Sequence, residues 1–592
     1  MVTRFFTKWL FHGLALASLF FSWPYAILNT GMISWPSAVL NTGMISWPSV
    51  IPNMEIQLST LSSACRPTSP PALPGASVIT AAQKLLPDWI RWERKQIRFD
   101  LNQDGRYDLL TLQDGQVRVC DGEELLYETP YYWLIADAFV SDLDGDGSQE
   151  MLFLAWRMDS FGYATPFWMK RDPLALTEHL FVLHWKDGEV RQKWMSSDFG
   201  STTSAMWLDK QGRVRMKEIS GTETTWAWDY FGFALVEEKQ APSPDASGNT
   251  SSPDISGEPA SPYGSLTFLA VGDNLMHESI YAPAYVPEKH LFDFSPVYEN
   301  VSGKIASYDI AVVNQETILV HDPAHRSGYP EFATPESVGD ALADAGFDIV
   351  LAATNHVNDM GPKAIADTLA FWKNHPDIHL LGLHESKEDA QQIDLYEKNG
   401  VRLALFNYTY GLNGHALPAG ENWRVDLLTE EDRLLADLQK AKAWADLSLC
   451  FLHMGEEYGN GPSEEDWALW ERLIDAGADV IICAHPHVVW PVSGFVTKKG
   501  NRGLIFESLG NFTANMSEWR TTLGGAASLT LRADGVVSYD LLPLICHFGN
   551  RKTTVYFLSD YTEDLAAAHS LSQRGTPATL HDLWKLWKEE TN

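Results

Sequence analysis

The sequence predicts an α/β fold for its C-terminal half, preceded by a smaller all-β region. In the C-terminal half, apolar runs rich in Val, Ile, Leu and Ala alternate with amphipathic segments, and polar residues directly follow several of these runs. Such runs are typical of strands buried on both faces, as in parallel sheets. In the earlier region, short segments alternate aromatic and polar residues around Lys-Asp-Gly and Lys-Gln-Gly turns, a pattern typical of antiparallel strands.

The length, charge and cysteine content of the chain narrow these predictions. At 592 residues the chain is too long for one core, and a usual size of about 100 to 200 residues predicts two or three domains. The formal net charge of -33 excludes a general nucleic-acid binder, because so acidic a surface repels phosphates.

The five cysteines are scattered, and Cys450 and Cys483 lie inside apolar runs. We expect small buried side chains there, without a disulfide framework or a zinc finger.

The N-terminus predicts export from the cytoplasm. Arg4 and Lys8 precede an apolar run that extends from Trp9 to about Leu28, which matches the basic and hydrophobic parts of a signal sequence. A run of about 20 residues can also span a bilayer, so residues 1–30 are either a cleaved signal peptide or a retained membrane anchor. Residues 31–79 carry a second copy, from Leu40, of the segment that starts at Leu28. We interpret them as a spacer.

Two acidic loops stand out in the all-β region, residues 80–239. Both place oxygen side chains at offsets 0, 2, 4 and 8, with glycine at offset 5, a spacing that wraps a hard cation around a sharp turn. Each loop runs into a strand instead of a helix, so we predict β-type calcium loops that resemble FG-GAP or VCBS repeats. An acidic turn without an ion is the alternative. The predicted calcium ligands are Asp100, Asn102, Asp104 and Asp108 in the first loop and Asp142, Asp144, Asp146 and Glu150 in the second.

Residues 240–264 separate this region from the α/β part. They hold Pro, Ser, Gly and Asp with almost no large apolar residue, which is typical of a linker. Strands and helices then alternate, with caps predicted at Thr429 and Ser463. A hairpin follows after Gly524, and residues 551–592 form an extension with a terminal helix at 580–590. The predicted strands are 265–273, 310–316, 348–354, 379–383, 401–408, 447–454, 479–484 and 503–508, and the predicted helices are 335–345, 361–374, 429–445 and 463–477.

Six segments of the α/β part, residues 265–550, place metal-ligand side chains where a strand ends. Ligand sites in α/β sheets form at such strand ends, so we predict that these side chains converge on a metal centre. Asp, Glu, Asn and His ligands without a thiolate suit manganese, iron or zinc. The residues are Asp273, Glu316, Asn355 with His356, His453, His485 with His487, and Asn511, the last as a supporting residue.

Together these segments resemble the capsule synthesis protein CapA family, the PgsA-like poly-γ-glutamate capsule proteins. The domain of that family is related to calcineurin-like metallophosphoesterases, so the resemblance implies a metallophosphoesterase-like αββα sandwich. The matching segments are Val271-Gly-Asp-Asn274, Val313-Asn-Gln-Glu-Thr317, Ala353-Thr-Asn-His356, His453-Met-Gly-Glu-Glu-Tyr458, Ala484-His-Pro-His-Val488 and Ser508-Leu-Gly-Asn-Phe512.

The resemblance also implies a role for each residue. Asp273 and His487 would hold one metal, Glu316 would bridge, Asn355, His453 and His485 would hold a second metal, and His356 would be the general acid. The chain departs from the metallophosphoesterase pattern, because His277 lies four residues after Asp273 and Asn314-Gln-Glu316 replaces Gly-Asp-x-x-Asp. Either one or two divalent ions are therefore expected. Glu456 is favoured over Glu457 as an acid/base group, because the family motif has a glutamate at that position.

Two functions of different classes follow from the resemblance. The first is an exported metal-dependent hydrolase or transferase, phosphoesterase-like, that acts on an anionic capsule polymer or a phosphorylated envelope substrate. The second is a non-catalytic accessory subunit that binds or anchors the polymer beside membrane-bound capsule synthesis subunits. Polyglutamate carries one carboxylate per residue, so an acidic protein would contact it through metal ions or a local basic groove.

Overall fold

The computed structural model describes residues 92–130, 133–158, 176–196, 202–229, 232–236 and 264–591. The predicted signal segment, the spacer and linker residues 240–263 lie outside this part of the chain. Within it, no helix combines the length and the apolar character needed to cross a membrane.

Among the described residues before 264, every helix or strand is a β-strand, in agreement with the predicted all-β region. Its strands are β1 (Lys95–Phe99), β2 (Asp108–Gln113), β3 (Gln116–Asp121), β4 (Glu124–Glu128), β5 (Leu134–Ser141), β6 (Glu150–Met158), β7 (Leu176–Lys186), β8 (Glu189–Met195), β9 (Thr203–Leu208), β10 (Val214–Glu218), β11 (Glu223–Asp229) and β12 (Gly232–Leu235).

The part from residue 264 onward mixes strands and helices. The strands are β13 (Ser265–Asn274), β14 (Tyr285–Val286), β15 (Leu291–Phe292), β16 (Ile310–Asn314), β17 (Leu319–Val320), β18 (Thr334–Pro335), β19 (Ile349–Leu351), β20 (His379–Leu381), β21 (Asp394–Lys398), β22 (Val401–Thr409), β23 (Leu447–His453), β24 (Val480–Ala484), β25 (Val489–Val496), β26 (Arg502–Leu509), β27 (Asn511–Thr513), β28 (Leu523–Arg532), β29 (Gly535–Gly549) and β30 (Lys552–Phe557). The helices are α1 (Glu278–Ala284), α2 (Ser295–Tyr298), α3 (Ser302–Ile305), α4 (Ser337–Asp344), α5 (Gly361–Lys373), α6 (Glu431–Ala441), α7 (Glu464–Ala476), α8 (Glu563–Ala568), α9 (Ser570–Gln573) and α10 (Leu580–Glu590).

Two large mixed sheets carry the α/β part. One has the strand order β20-β19-β16-β13-β28-β29-β30, and β27 also pairs with β13. The other has the order β21-β22-β23-β24-β26-β25-β1-β2-β3-β4. Strand β1 pairs in parallel with β25, so four strands from the N-terminal region continue a sheet of the α/β part. The remaining N-terminal strands form two four-stranded sheets, β5-β6-β7-β8 and β12-β11-β10-β9.

The faces of the two large sheets share one buried apolar cluster. It includes Phe268 and Val312 from one sheet and Phe451, Ile482 and Phe506 from the other. Helices cover the opposite faces: α4 and α5 pack against β13 and β16, and α6 and α7 pack against β23 and β24. The α/β part therefore has two sheets in contact with helices outside them, which places the strand ends of both sheets near each other.

Most of the predicted elements are confirmed. Each of the eight predicted strands has a counterpart whose ends lie within three residues of the prediction, and each predicted helix has one within four. Ser463 caps α7 in a capping box with Asp466. The cap predicted at Thr429 is wrong, because Thr429 lies in a short 3-10 turn and α6 begins at Glu431 without a side-chain cap. Leu541 pairs with Ala527 in the predicted hairpin, and α10 spans the predicted terminal helix.

The cysteines follow the prediction in part. Cys450, Cys483 and Cys546 are free and buried, and burial raises the pKa of the Cys546 thiol to about 12, so these thiols are small apolar side chains of the core. Cys120 is disulfide-bonded, which the scattered cysteine spacing did not indicate.

Candidate metal centre

The carboxyl ends of parallel strands from both large sheets meet at one place. Strands β13, β16 and β19 run parallel to one another, as do β22, β23 and β24 in the other sheet. Asp273 lies at the end of β13, His453 ends β23, and His485 follows β24 directly. Glu316 comes two residues after β16. Because the strands are parallel, these side chains leave the two sheets on the same side.

The close approach of two backbone segments positions Asp273. The amide of Asp273 donates to the carbonyl of Gly510 over 2.9 Å. A Cβ atom on Gly272 would lie 1.9 Å from that same carbonyl oxygen, so only glycine fits before Asp273. His485 has φ of 104°, a region that residues with a side chain rarely adopt. Its amide donates to Oδ2 of Asp273 over 3.1 Å, which holds the strained turn in place.

The structure brings all six predicted metal ligands together. Asp273 Oδ2 lies 3.2 Å from His487 Nδ1, and Asp273 Oδ1 lies 3.8 Å from His453 Nδ1. Glu316 Oε1 lies 3.6 Å from His453 Nε2 and 3.8 Å from His487 Nε2. Asn355 Oδ1 lies 3.0 Å from His453 Nε2. Ligand atoms of Glu316, His485 and His487 all lie within 4.8 Å of one another.

Glu316 is the central residue of this cluster. Its side chain is 0% exposed, and neither carboxylate oxygen has a hydrogen-bond partner among the described residues. Nδ1 of His485 is also buried without such a partner in the described part of the chain. A buried carboxylate without hydrogen bonds is costly unless another group satisfies it.

The same burial perturbs the imidazoles and the carboxylate. Burial raises the pKa of Glu316 well above its ordinary value, and the Asp273 charge raises it further. Burial lowers the pKa of His485 to about 3, and it also lowers the pKa of His453 well below its ordinary value. Burial opposes charge on His487 as well, but the Glu316 and Asp273 carboxylates outweigh it and raise the pKa of His487 to about 9. His453 and His485 are therefore neutral, the form that binds metals.

These distances fit a divalent cation. Two ligand atoms that are each about 2.1 Å from one ion, at angles of about 90 to 110°, lie roughly 3.0 to 3.4 Å apart. Several separations in the cluster fall close to this range, and the donors are carboxylate oxygens and imidazole nitrogens, which suit manganese, iron and zinc. A cation beside Glu316 would satisfy the two oxygens that lack partners. The residues present therefore fit a metal ion.

His356 forms a separate pair beside the cluster. Its Nδ1 lies 2.7 Å from Oδ2 of Asp359, and both residues are largely buried. Phe332 packs edge-on against the imidazole at 4.7 Å and donates its amide to the same Asp359 oxygen over 2.7 Å. A carboxylate in this position fixes the orientation of the imidazole and leaves Nε2 for proton transfer. Asp359 was not predicted, although its position three residues after His356 was a usable signal.

Asn314 and Asn511 support the ligands. Asn314 Nδ2 donates to Asp273 Oδ1 over 2.7 Å and lies 3.1 Å from His453 Nδ1. Asn511 Oδ1 lies 3.1 Å from His487 Nδ1, and the supporting role of Asn511 at a metal site stays a prediction. Asn314 was not predicted, although it lies in the Asn314-Gln-Glu316 segment that replaces Gly-Asp-x-x-Asp, which was a usable signal.

Partly exposed residues surround the cluster on the solvent side. Tyr410 is 41% exposed with its ring 4.7 Å from His485, and Tyr458 is 48% exposed with its ring 5.8 Å from His487. Glu456 is exposed, and no hydrogen bond or ion pair joins its side chain to the described cluster. The charge of Glu457 contributes to the raised pKa of Glu316 and of His487. Of the two glutamates, Glu457 therefore acts electrostatically on the site.

His277 does not join the ligands in this structure. Its Nδ1 lies 3.3 Å from both the carbonyl oxygen of Leu275 and the amide of Asn515, and its ring packs edge-on against Phe332. Burial lowers its pKa to about 4, so His277 is a neutral, hydrogen-bonded neighbour.

The carboxylates of the two acidic loops differ from that of Glu316 because they have hydrogen-bond or ion-pair partners. Asp142 accepts the amides of Gly145, Asp146 and Gly147 at 2.8 to 3.1 Å. Lys193 Nζ lies 2.5 Å from Asp144 and 2.7 Å from Glu150.

The first loop is satisfied in the same way. Asp100 accepts the amides of Asp104 and Gly105, Asp108 accepts the amide of Leu101, and Arg106 pairs with Asp104 at 2.8 Å. Asn102 accepts the amide of Asp104. The spacing predicted tight turns correctly, and calcium stays a prediction.

Fold and site together define an α/β protein with a buried carboxylate and imidazole cluster that fits a divalent metal. The model of the bacterial capsule synthesis protein family PGA_cap matches residues 267–516. The capsule biosynthesis protein CapA of Bacillus anthracis is 30% identical over 295 residues, which cover 48% of this chain and 69% of that protein. The chain belongs to this family of bacterial capsule synthesis proteins.

Two further similarities were found. The PGA biosynthesis protein CapA of Bacillus subtilis is 32% identical over 256 residues, 42% of this chain and 65% of that protein. The solved structure of NAD nucleotidase from Haemophilus influenzae is 13% identical and covers 48% of this chain and 50% of that chain, with a TM-score of 0.31. A score this low carries no argument about this chain.

Proposed function

We propose that this protein is an exported, metal-dependent hydrolase or transferase of phosphoesterase type that acts on a capsular or envelope polymer of the poly-γ-glutamate kind. Family membership and the names of the Bacillus relatives support the link to capsule synthesis. The observation that carries the catalytic part is Glu316, a fully buried carboxylate without a hydrogen-bond partner among the described residues, surrounded by Asp273 and three histidines.

Within this proposal each residue of the cluster has a defined task. Asp273 and His487 would hold one ion, Asn355, His453 and His485 would hold a second, and Glu316 would be shared between them. When bound, such ions lower the pKa of a water and polarise a phosphoryl or acyl oxygen. The αββα layering of metallophosphoesterases is the fold we propose for the α/β part, supported by two facing sheets with helices outside them.

His356 would deliver the proton to the leaving group. Asp359 accepts from Nδ1 and keeps the imidazole in one orientation, so that Nε2 is the ring nitrogen that would carry the transferred proton. Asn413 lies 3.5 Å from that Nε2 and limits rotation of the ring. Phe332 covers one side of the imidazole and excludes water from it.

The charge around the cluster favours contact with an anionic polymer through metal ions. The solvent side presents Tyr410, Tyr458, Glu456 and Glu457, and the whole chain has a net charge of -33. An acidic rim repels a polycarboxylate unless cations lie between them. The tyrosine rings offer flat, partly exposed faces to the uncharged parts of a substrate.

We also propose an extracytoplasmic location, secreted or membrane-anchored, close to membrane-bound capsule synthesis subunits. The basic and apolar N-terminal segment supports export, and the disulfide at Cys120 is compatible with an oxidising exterior. For the N-terminal strands we propose an FG-GAP-like or VCBS-like module whose acidic loops bind calcium. The oxygens of Asp142, Asp144 and Asp146, all within 4.8 Å of one another, support this.

Metal analysis of the purified protein tests the proposed function. The variant His485→Ala/His487→Ala is compared with the parent and with His325→Ala, a control whose side chain is 78% exposed. We expect the double variant to lose its bound metal and its metal-dependent turnover of bis(p-nitrophenyl) phosphate, while the control keeps both. Equal metal content in all three proteins would contradict the assignment.

The same proteins separate the enzyme from the accessory subunit. Turnover that requires metal and disappears with the two histidines supports the enzyme. Metal-dependent binding of poly-γ-glutamate without any turnover of phosphoesters or of the polymer supports the accessory subunit instead.

A further inference from the structure

The loop after β23, residues 455–460, carries Glu457 and Tyr458 to the rim of the cluster. The amide of Tyr458 donates over 2.8 Å to the carbonyl of Pro486, which separates the two histidines of the site. Trp490 donates its indole N–H to the carbonyl of Gly459 over 3.1 Å. Tyr458 has φ of 59°, in the left-handed region, and the loop contains two glycines. Such a loop needs support from outside to keep one conformation.

That support comes from Arg520. Its guanidinium donates to the carbonyl oxygens of Tyr458 and Gly459 at 3.0 and 2.8 Å. The same guanidinium donates to both carboxylate oxygens of Glu590 at 3.0 to 3.1 Å. Both side chains are largely buried, at 23% and 16% exposure. A planar guanidinium can serve two carbonyls and a carboxylate at once, which an ammonium group cannot do in the same geometry.

Glu590 belongs to the last turn of the terminal helix α10, and that helix is firmly attached. Thr579 and Asp582 form a capping box at its start. Leu583 and Trp587 are buried in one apolar cluster with Val489, which begins β25 two residues after His487. The helix that supplies Glu590 therefore packs against the strand that leaves the site.

Asn511 links the segment that contains Arg520 to His487. Its amide donates over 2.9 Å to the carbonyl of Thr521, directly after Arg520, and over 3.1 Å to the carbonyl of His487. Hydrogen bonds thus link His487, the segment of Arg520 and the loop of Tyr458 in a closed ring. A change at any member moves its neighbours.

We propose that Arg520 and Glu590 are positioning residues that hold the Tyr458 loop against His487, so that the terminal helix sets the substrate side of the site. Both residues lie beyond the segment matched by the family model, residues 267–516. Removing the link lets the loop move and weakens substrate binding without removing a metal ligand. The substrate-binding part rests on the proposed function, whereas the loop-holding part does not.

Hydrogen exchange of the full-length protein tests the loop directly. Glu590→Ala is compared with Glu589→Ala, the neighbouring residue, whose carboxylate is half-exposed and lies 3.4 Å from Lys585. Loss of charged hydrogen bonds is expected to raise exchange in a peptide covering residues 455–460 by about tenfold in Glu590→Ala. No change is expected in Glu589→Ala. Equal exchange in the two variants overturns the proposal.

A second variant separates positioning from general stability. Arg520→Lys keeps the positive charge opposite Glu590 but loses the planar guanidinium that donates to two carbonyls and a carboxylate. The amide hydrogens of residues 455–460 are therefore expected to exchange as fast as in Glu590→Ala. Full protection of the loop in Arg520→Lys overturns the proposal.

Steady-state kinetics tests the substrate-binding part. In Glu590→Ala and Arg520→Lys, the KM for bis(p-nitrophenyl) phosphate should rise by about tenfold while kcat stays within about twofold of the parent value. A KM equal to that of Glu589→Ala overturns the substrate-binding part. A parent without turnover refutes the proposed function, while exchange still decides whether the link holds the loop.

Discussion

The buried Glu316 of the α/β part and Asp142 of an N-terminal acidic loop differ in their hydrogen bonds. Glu316 is 0% exposed and lacks hydrogen-bond partners among the described residues. Asp142 lies in a loop that reaches solvent and accepts three backbone amides, and Lys193 pairs with two of its neighbours. A carboxylate that is both buried and unsatisfied fits a site that binds a cation. A satisfied one is explained by the turn it forms.

Glu507 provides an intermediate case. It is 4% exposed in β26, and its carboxylate accepts from Ser493 Oγ over 2.6 Å. Burial raises its pKa to about 7, while the Ser493 hydrogen bond and the Arg98 charge act in the opposite direction. Burial alone therefore does not mark a metal ligand, because Glu507 is buried with partners and Glu316 is buried without them.

Substitution of Glu316 should produce the largest effect. We expect Glu316→Gln to weaken metal binding by at least about 100-fold, because an amide replaces the central carboxylate. In chelator the variant should unfold at the same temperature as the parent or higher, since it no longer buries an unsatisfied acid. Calorimetric titration measures the metal affinity, and thermal unfolding in chelator measures the stability. Unchanged metal affinity would remove the distinction between Glu316 and the loop carboxylates.

Substitution of Asp359 tests the histidine pair next to the cluster. Asp359→Asn keeps the size of the side chain but loses the carboxylate that orients His356. We expect kcat to fall by roughly 100-fold while the bound metal stays at the parent level. Steady-state kinetics with metal analysis separates the two quantities. Loss of metal would place Asp359 among the ligands instead.

The pH dependence of stability tests Glu507. Its folded-state pKa of about 7 lies above the ordinary 4.5, so the folded protein binds this proton more tightly than the unfolded chain does. The contribution of Glu507 to stability is full below pH 4.5 and is lost as the pH rises to about 7. As the pH rises, Glu507→Gln should therefore lose up to about 3 kcal/mol less stability than the parent does. Denaturant unfolding at pH 5 and pH 8 measures it, with Glu589→Gln as the exposed control. Parallel pH profiles for parent and variant would contradict the prediction.

Substitution of Lys193 should have the smallest effect and tests the acidic loops. Lys193→Met leaves Asp144 and Glu150 without their cation, which should destabilise the protein by about 2 kcal/mol in the absence of calcium. If the loop binds calcium, adding it should raise the melting temperature of the variant more than that of the parent. The same small shift in both proteins would favour a turn without an ion.

Helices, strands and strand-end ligands could be predicted from the sequence, whereas contacts between residues brought together by the fold could be predicted less well. Asp273, His453 and His485 could be found because an apolar run ends at a polar residue. Asp359 was missed although it lies three residues after His356, because its role depends on the turn that brings its carboxylate back to the imidazole. The pairing of β1 with β25 joins segments almost 400 residues apart in the sequence, and no local periodicity encodes such a partner. The predicted domain boundaries stay predictions.

The pairing of β1 with β25 has a consequence for work with shortened chains. Strand β1, followed by β2 to β4, occupies the hydrogen-bonding groups on the outer side of β25, the strand that starts two residues after His487. A protein truncated before Ser265 would present that strand as an open edge with unpaired amides and carbonyls. Open edges recruit strands from other molecules, so such a fragment would self-associate through the sheet that carries several of the predicted metal ligands.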